Sequence, residues 1–183
     1  SLTYQWQLST DNGATFTNIA GATASTLSLP AVVATQTGYQ YRVNVFSCTP
    51  TPITSAAATL TVNTLIAINT QPSAVVLCEG TNASFSVAAV GTGATYQWQV
   101  STTGCAGTFT NITGATSNTL TVNNTTASQN GYGYRVIVTG TCNTVTSACV
   151  ALTVNTAIVV NTQPANTSAC LPTQTSTSFS VAV

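Results

Sequence analysis

The tetrapeptide Tyr4-Gln5-Trp6-Gln7 recurs unchanged as Tyr96-Gln97-Trp98-Gln99, 92 positions later. The match extends outward from it. Thr15-Phe16-Thr17-Asn18-Ile19 returns as Thr108-Phe109-Thr110-Asn111-Ile112, and Tyr41-Arg42-Val43 returns as Tyr134-Arg135-Val136. Leu60-Thr61-Val62-Asn63 and Thr70-Gln71-Pro72 return as Leu152-Thr153-Val154-Asn155 and Thr162-Gln163-Pro164. Self-similarity at a fixed period marks a tandem array, with one supersecondary unit per repeat. A repeat of ~92 residues is long enough to bury its own core. The chain therefore reads as a window on such an array. Residues 1–63 are the later part of one repeat, 64–155 a complete repeat, and 156–183 the beginning of a third.

Apolar and polar residues alternate along these segments. Phe85 and Val87 share one face, as do Tyr96, Trp98 and Val100, with Gln97 and Gln99 on the other. Leu120 with Val122, Tyr134 with Val136 and Val138, and Leu152 with Val154 repeat the pattern. Period-two alternation between Gly, Asn, Ser and Thr turns reads as short strands of an all-β sandwich. In the complete repeat seven strands are expected. They fall at about 73–77, around Phe85, around Trp98, at 109–112, 118–123, 134–139 and 146–154, with 125–131 crossing one end. Residues 1–63 then hold the last five strands of their repeat, and 156–183 the first two of theirs. The incomplete pieces are expected to complete sandwiches of this kind, with Phe179 and Val181 packing against a Trp6 and Tyr41 that lie outside their own segment.

Composition narrows the functional classes. Charged residues make up 2% of the chain against 44% hydrophobic ones. The four charges are Asp11, Glu79, Arg42 and Arg135, and Lys, His and Met are absent. Such a chain has no basic face for nucleic acid, which binds proteins largely through phosphate neutralisation. Its hydrophobicity argues against disorder. No apolar run is long enough to insert in a membrane as a helix. One acid per repeat satisfies neither a paired-carboxylate hydrolase nor a calcium site. Without His or Lys, the many Ser and Thr hydroxyls lack an activating base. No catalytic residue, metal site or cofactor is expected.

Two spacings resemble a known family. Trp98 lies 11 residues after Val87, and Tyr134-x-Val136 follows Gly131. Immunoglobulin domains carry Cys, Trp and Tyr-x-Cys in that order. Val87 and Val136 stand where the two core cysteines would be, and Tyr134, like Tyr41, stands at the tyrosine-corner position. The pattern YQWQ, TFTNI, GYxYRV and TSAxxxLTVN more closely resembles the immunoglobulin-like tandem repeats of very large surface adhesins of Bacteroidetes-type bacteria, gliding-motility adhesins included. That resemblance implies an extracellular, cell-surface fibre or stalk whose partners are neighbouring repeats or copies of itself. Polymerisation by strand donation, in the manner of a pilus subunit, is the principal alternative. A carbohydrate-binding module of a secreted protein is another, with Tyr39 and Tyr132 as the aromatics that would meet surface glycans.

Trp6 and Trp98 fall at the core tryptophan position, so packing is expected of them rather than sugar stacking. Arg42 and Arg135 should point outward and lie over the sheet, hydrogen-bonding to carbonyls or to Gln5 or Gln97. Asn82, Asn111, Asn123, Asn124 and Asn166 match the glycosylation acceptor pattern, as an Asn- and Thr-rich chain will by chance. The six cysteines point to an oxidising compartment. Cys78 and Cys170 share one repeat position, and Cys48 and Cys142 another. Cys105 and Cys149 have no counterparts, which suggests that they pair with each other, unless one of them pairs with Cys78. Cys78 and Cys142 fall on turns at opposite ends of a seven-strand sandwich. That favours bridges between neighbouring repeats, although a shifted first strand would bring the two together.

Overall fold

A computed structural model describes residues 1–48, 51–168 and 176–183 of the chain. Apart from two single 3-10 turns, all its regular structure is β. It divides into two compact units. One comprises Ser1–Ala67, Val90–Ala94 and Gly140–Asn143, and the other Ile68–Ala89, Thr95–Thr139 and Thr144–Val183.

In the first unit, β1 (Thr3–Ser9) is the centre of a sheet. It pairs with β2 (Thr17–Asn18) on one side and with β3 (Gln40–Phe46) on the other. β4 (Ile53–Thr54) and β5 (Ala58–Thr59) both pair with β3. Residues 26–30, whose counterparts in the other repeat include a strand, form none here. The strand their counterparts pair with has no equivalent in residues 1–63, and a β-ladder cannot form on one side alone. Trp6 is consequently only half-buried, and Tyr41 is the one aromatic residue of this sheet that is buried.

The second unit carries both layers of a sandwich. β6 (Ala67–Thr70) and β7 (Val75–Cys78) come first, separated by the buried Pro72. β8 (Ala83–Ser86), β9 (Ala88–Val90), β10 (Thr95–Ser101) and β11 (Thr110–Asn111) follow. β12 (Thr119–Val122), β13 (Gly133–Thr139), β14 (Thr144–Thr146) and β15 (Val150–Asn155) complete it. One layer runs β11-β10-β13-β15-β7, with β14 also on β13. The other is built from the β12–β8 and β6–β9 pairs.

The alternation explains the core. Trp98, Phe85, Leu152, Val136 and Val138 are fully buried, and Val87, Tyr134 and Leu120 nearly so. Phe85 stacks on Tyr134 at 4.7 Å between ring centroids and meets Trp98 at 6.4 Å. Burying each such side chain contributes roughly 1.5–3 kcal/mol. Val87 and Val136 thus occupy the middle of the sandwich as ordinary core residues.

Three segments depart from the sequence expectation. The single first strand at 73–77 is in fact two. β6 pairs with β9, whereas β7 crosses to the other layer and runs parallel to β15, with Leu152 opposite Val75 and Asn155 opposite Cys78. Pro72, which lacks an amide hydrogen, breaks the chain between them. The strand at 146–154 is also interrupted, between β14 and β15. There the Ser147 hydroxyl accepts the Val136 amide hydrogen at 2.9 Å and donates to the Ala148 carbonyl at 2.9 Å. Ser55 makes the same pair of bonds to Val43 and Ala56, at 3.1 and 2.8 Å. Lastly, the described residues of 156–183 contain one isolated bridge, Thr162 to Ala182, and no strand. Phe179 and Val181 are exposed there, because no described strand offers them a ladder partner.

Ser147 therefore stands in for a missing main-chain acceptor inside the core. Replacing it with alanine orphans a buried amide, so Ser147→Ala should lower stability by about 1–3 kcal/mol. Urea unfolding should show the fall in midpoint without a change in slope.

Candidate functional site

The outer face of the β10–β13 layer holds Arg135, one of the two arginines that are the chain's only cationic side chains. On β10, Tyr96 and Trp98 turn towards the core, and Gln97 and Gln99 turn away from it. Gln97 Nε2 donates to the carbonyls of Trp98 and Ile112, both at 2.9 Å, and so pins the loop after β11 to β10. Gln99 lies opposite Arg135 on β13 and opposite Asn111 on β11. Its carbonyl oxygen accepts Arg135 Nε at 2.8 Å, and its Nε2 donates to Asn111 Oδ1 at 2.7 Å. The Arg135 guanidinium lies over the Phe109 ring, 3.9 Å from its centroid.

The other repeat rebuilds the same cluster. Arg42 Nε donates to Gln7 Oε1 at 2.7 Å, Gln7 Nε2 to Asn18 Oδ1 at 2.9 Å, and the guanidinium sits 3.8 Å over Phe16. Gln5 binds the Trp6 and Ile19 carbonyls as Gln97 binds theirs. The partner expected for the arginines, Gln97 or Gln5, is corrected to Gln99 or Gln7. The antiparallel register sets Gln99 opposite Arg135 and Gln97 opposite Ile137, and only directly opposed side chains on one face meet closely. The phenylalanines were missed, although both sit in the repeated Thr-Phe-Thr-Asn-Ile segment. Cation–π stacking at such a surface contributes about 0.5–1 kcal/mol. The indole nitrogens of Trp98 and Trp6 donate to the Ser117 and Ala24 carbonyls at 2.9 and 3.0 Å.

Both acids accept hydrogen bonds from their own repeat. The Asp11 carboxylate accepts the Ser9 hydroxyl at 2.7 Å and, from Thr15, the amide at 2.9 Å and the hydroxyl at 2.5 Å. The Thr15 hydroxyl, then that of Ser9, lower its pKa to about 2. Glu79 Oε1 accepts the Ala127 amide at 3.1 Å, at the start of the 3-10 turn Ala127–Gln129. No group of three His, Cys, Asp or Glu converges among the described residues. No helix among them is long and apolar enough to cross a membrane. Of the Asn acceptor candidates, Asn111 and Asn82 already accept hydrogen bonds, from Gln99 and from the Asn124 amide.

Tyr132 is half-buried and lines a cleft of about 260 Å³ with Val100, Ile112, Leu120, Val122 and Tyr134. The cleft opens between β11 and β12, which are paired to other strands and not to each other. Desolvation in this core raises the Tyr134 pKa. Tyr39 is likewise half-buried.

Cys105 and Cys149 form a disulfide, with 5.6 Å between their Cα atoms and a sequence separation of 44. Closing a loop of that length stabilises a fold by about 4 kcal/mol in the chain-entropy account. Gly133 makes the bridge possible. A Cβ there would stand 2.9 Å from Cys149 Sγ and 3.0 Å from the Cys105 amide nitrogen. The first repeat has Gln40 at this position, and its side-chain oxygen fills the space beside Gly13. Glycine in Gly131-Tyr132-Gly133-Tyr134 against glutamine in Gly38-Tyr39-Gln40-Tyr41 was the legible signal. Cys48, Cys78 and Cys142 are free and exposed. Cys170 lies outside the described residues.

A family described as "Domain of unknown function (DUF8696)" matches residues 2–64 and 67–156. No curated protein sequence matches the chain. Among solved structures, the N-terminal eight immunoglobulin domains of Down Syndrome Cell Adhesion Molecule superpose with a TM-score of 0.62 at 17% identity. That match covers 85% of this chain and 21% of the other. The I67–I69 I-band fragment of titin gives 0.58 at 13% identity, covering 88% of this chain and 58% of that one. The N-terminal four immunoglobulin domains of Dscam1 isoform 6.9 give 0.53 at 15% identity, covering 85% and 38%. The chain thus spans less than two thirds of each of these structures, and the likeness is one of fold: tandem immunoglobulin-like domains.

Two outcomes follow from this geometry. Gly133→Gln should prevent closure of the Cys105–Cys149 bridge, which thiol titration after oxidative refolding will show as two additional free thiols. The Asp11 turn should survive acid unusually far. A carboxylate whose folded pKa lies below its unfolded value of 3.8 contributes stability above that value and loses it as pH falls through about 2. Amide exchange at Thr15 should therefore stay slow at pH 3 and quicken near pH 2, and in Asp11→Asn it should be fast throughout.

Proposed function

The chain belongs to this domain family, and we propose that it is a non-catalytic structural segment of an extracellular fibre or stalk, of the kind that surface adhesins use to project a binding end. One observation carries the reading. All four charged side chains are engaged inside their own repeat, two in turns and two in a cluster built identically in both repeats. The groups that hydrolysis, metal binding or nucleic-acid contact would require already serve the scaffold. What varies from repeat to repeat is reinforcement: the second repeat adds a disulfide that the first lacks. A bridge of that kind fits the oxidising setting of a cell surface.

The disulfide also sets a mechanical signature. It shields the residues between Cys105 and Cys149 from extension, so force on the chain ends straightens the rest of the repeat first. Pulling the chain by its termini should give a discrete unfolding event for the complete repeat. Reduction should lengthen that event by about 150 Å, from 44 residues at roughly 3.5 Å each. A chain that extends without a discrete event overturns the stalk reading. So does hydrolytic activity, or micromolar glycan binding lost in Tyr132→Ala.

A further inference from the structure

We propose that the cysteines left over from the Cys105–Cys149 bridge are junction thiols. In this assignment the Cys78-type thiol of one repeat and the Cys142-type thiol of the following repeat oxidise to a disulfide across the boundary between them. The inference rests on the array reading above and adds to it a covalent lock at each junction.

The two positions mark the ends of one sheet. Cys142 lies on the turn between β13 and β14. Its neighbour Asn143 clasps the chain at Ile66. Asn143 Oδ1 accepts the Ile66 amide at 2.6 Å, and Nδ2 donates to the Ile66 carbonyl at 3.1 Å. Gly91 and Gly140 leave room for the Ile66 side chain, which is buried. Cys142 is therefore fixed beside the point where the chain arrives at the repeat. Cys78 is fixed where the chain leaves it. Cys78 is the register partner of Asn155 at the end of β15, and the next amide, Glu79, donates to the Asn155 carbonyl at 2.9 Å. The strand path from Thr144 to Asn155 separates the two ends by on the order of 30 Å, at about 3.3 Å per residue. A disulfide needs Cα atoms within about 7 Å. Pairing of Cys78 with Cys142 in one repeat is thus closed off.

Between consecutive repeats the connecting chain is short. Asn63 is the counterpart of Asn155, and only Thr64 and Leu65 separate it from Ile66. Two intervening residues carry the chain from the leaving point of one repeat to the arriving point of the next, about 10 Å at full extension. Both thiols recur with the period, as Cys48 with Cys142 and Cys78 with Cys170. Cys48, Cys78 and Cys142 are exposed and unbonded. Within residues 1–183, none of these positions has its junction mate, since the mate falls in the following repeat for Cys78 and Cys170 and in the preceding repeat for Cys48 and Cys142. That mate is supplied by a longer chain or by a second copy of this one. In either case two thiols lose two protons and two electrons to form the S–S bond. The acceptor is a disulfide of the export compartment, that of a thiol–disulfide oxidoreductase or of oxidised glutathione, which takes up the two electrons and two protons and is reduced to two thiols.

The test lengthens the full chain by repeating residues 64–155 once in frame, so that a complete junction is present. After oxidation with glutathione disulfide, peptic mapping without reduction should recover Cys78 of the first copy joined to Cys142 of the second. Cys78→Ser in the first copy, or Cys142→Ser in the second, should abolish that peptide, and Cys48→Ser should leave it. Both thiols remaining alkylatable, or Cys78 joined to Cys142 of its own copy, overturns the proposal. The unextended chain tells the sources apart. A ladder of reducible multimers points to a second copy, and a monomer, with the bridge present in the lengthened chain, points to continuity. Free thiols in a chain that still unfolds in a discrete step count against the bridge alone, whereas loss of that step counts against the stalk.

Discussion

The antiparallel ladder between β10 and β13 sets Trp98 opposite Val136 and Gln99 opposite Arg135. Both faces of the complete domain follow from those pairings. A slip of one residue would carry Trp98 to the outer face and turn the Gln99 amide into the apolar core. Two independent penalties therefore hold the register. Inside, the slip would cost the contacts among Trp98, Phe85 and Tyr134. Outside, it would break the run from Phe109 through Arg135 and Gln99 to Asn111.

The same economy of side chains recurs at every irregular point. Where a strand breaks, Ser147 supplies an acceptor. Where the chain crosses the end of the sandwich, Asn130 Oδ1 accepts the Val154 amide at 3.0 Å, and Gln129 Oε1 accepts the Thr126 amide at 2.9 Å. The first repeat uses Thr37 and Gln36 for these tasks, at 3.0 and 2.8 Å. Short amide and hydroxyl side chains mimic the main chain's own donors and acceptors. Asn, Gln, Ser and Thr are abundant here because they complete the hydrogen bonding of the backbone where the ladder cannot.

Much of this was readable in advance for a physical reason. Strand patterning has a period of two, and tandem similarity shows which residues are kept together, so the all-β class and the inward positions of Trp98, Val87, Val136 and Tyr134 could be reasoned out. The disulfide was readable because Cys105 and Cys149 lack counterparts in the other repeat. Other features depend on register, which alternation alone does not specify. Gln99 rather than Gln97 meets Arg135 for that reason, and Phe109 covers the guanidinium because a short β11 returns it over the sheet. The split of the first strand around Pro72 was hidden too. Its second half finds its parallel partner β15 some 77 residues away, as Leu152 opposite Val75 shows.

The neutral bonds of the β10–β13 face have a consequence for the medium the protein can occupy. Ion pairs on a surface weaken as dissolved salt screens them over about 10 Å at 0.1 M ionic strength. The ties here run from amide to amide and from guanidinium to amide or aromatic ring, so mobile ions have little to shield. With a formal net charge of zero, the chain also gains little from screening of self-repulsion. Its folded state should hold in fresh water and in brine alike.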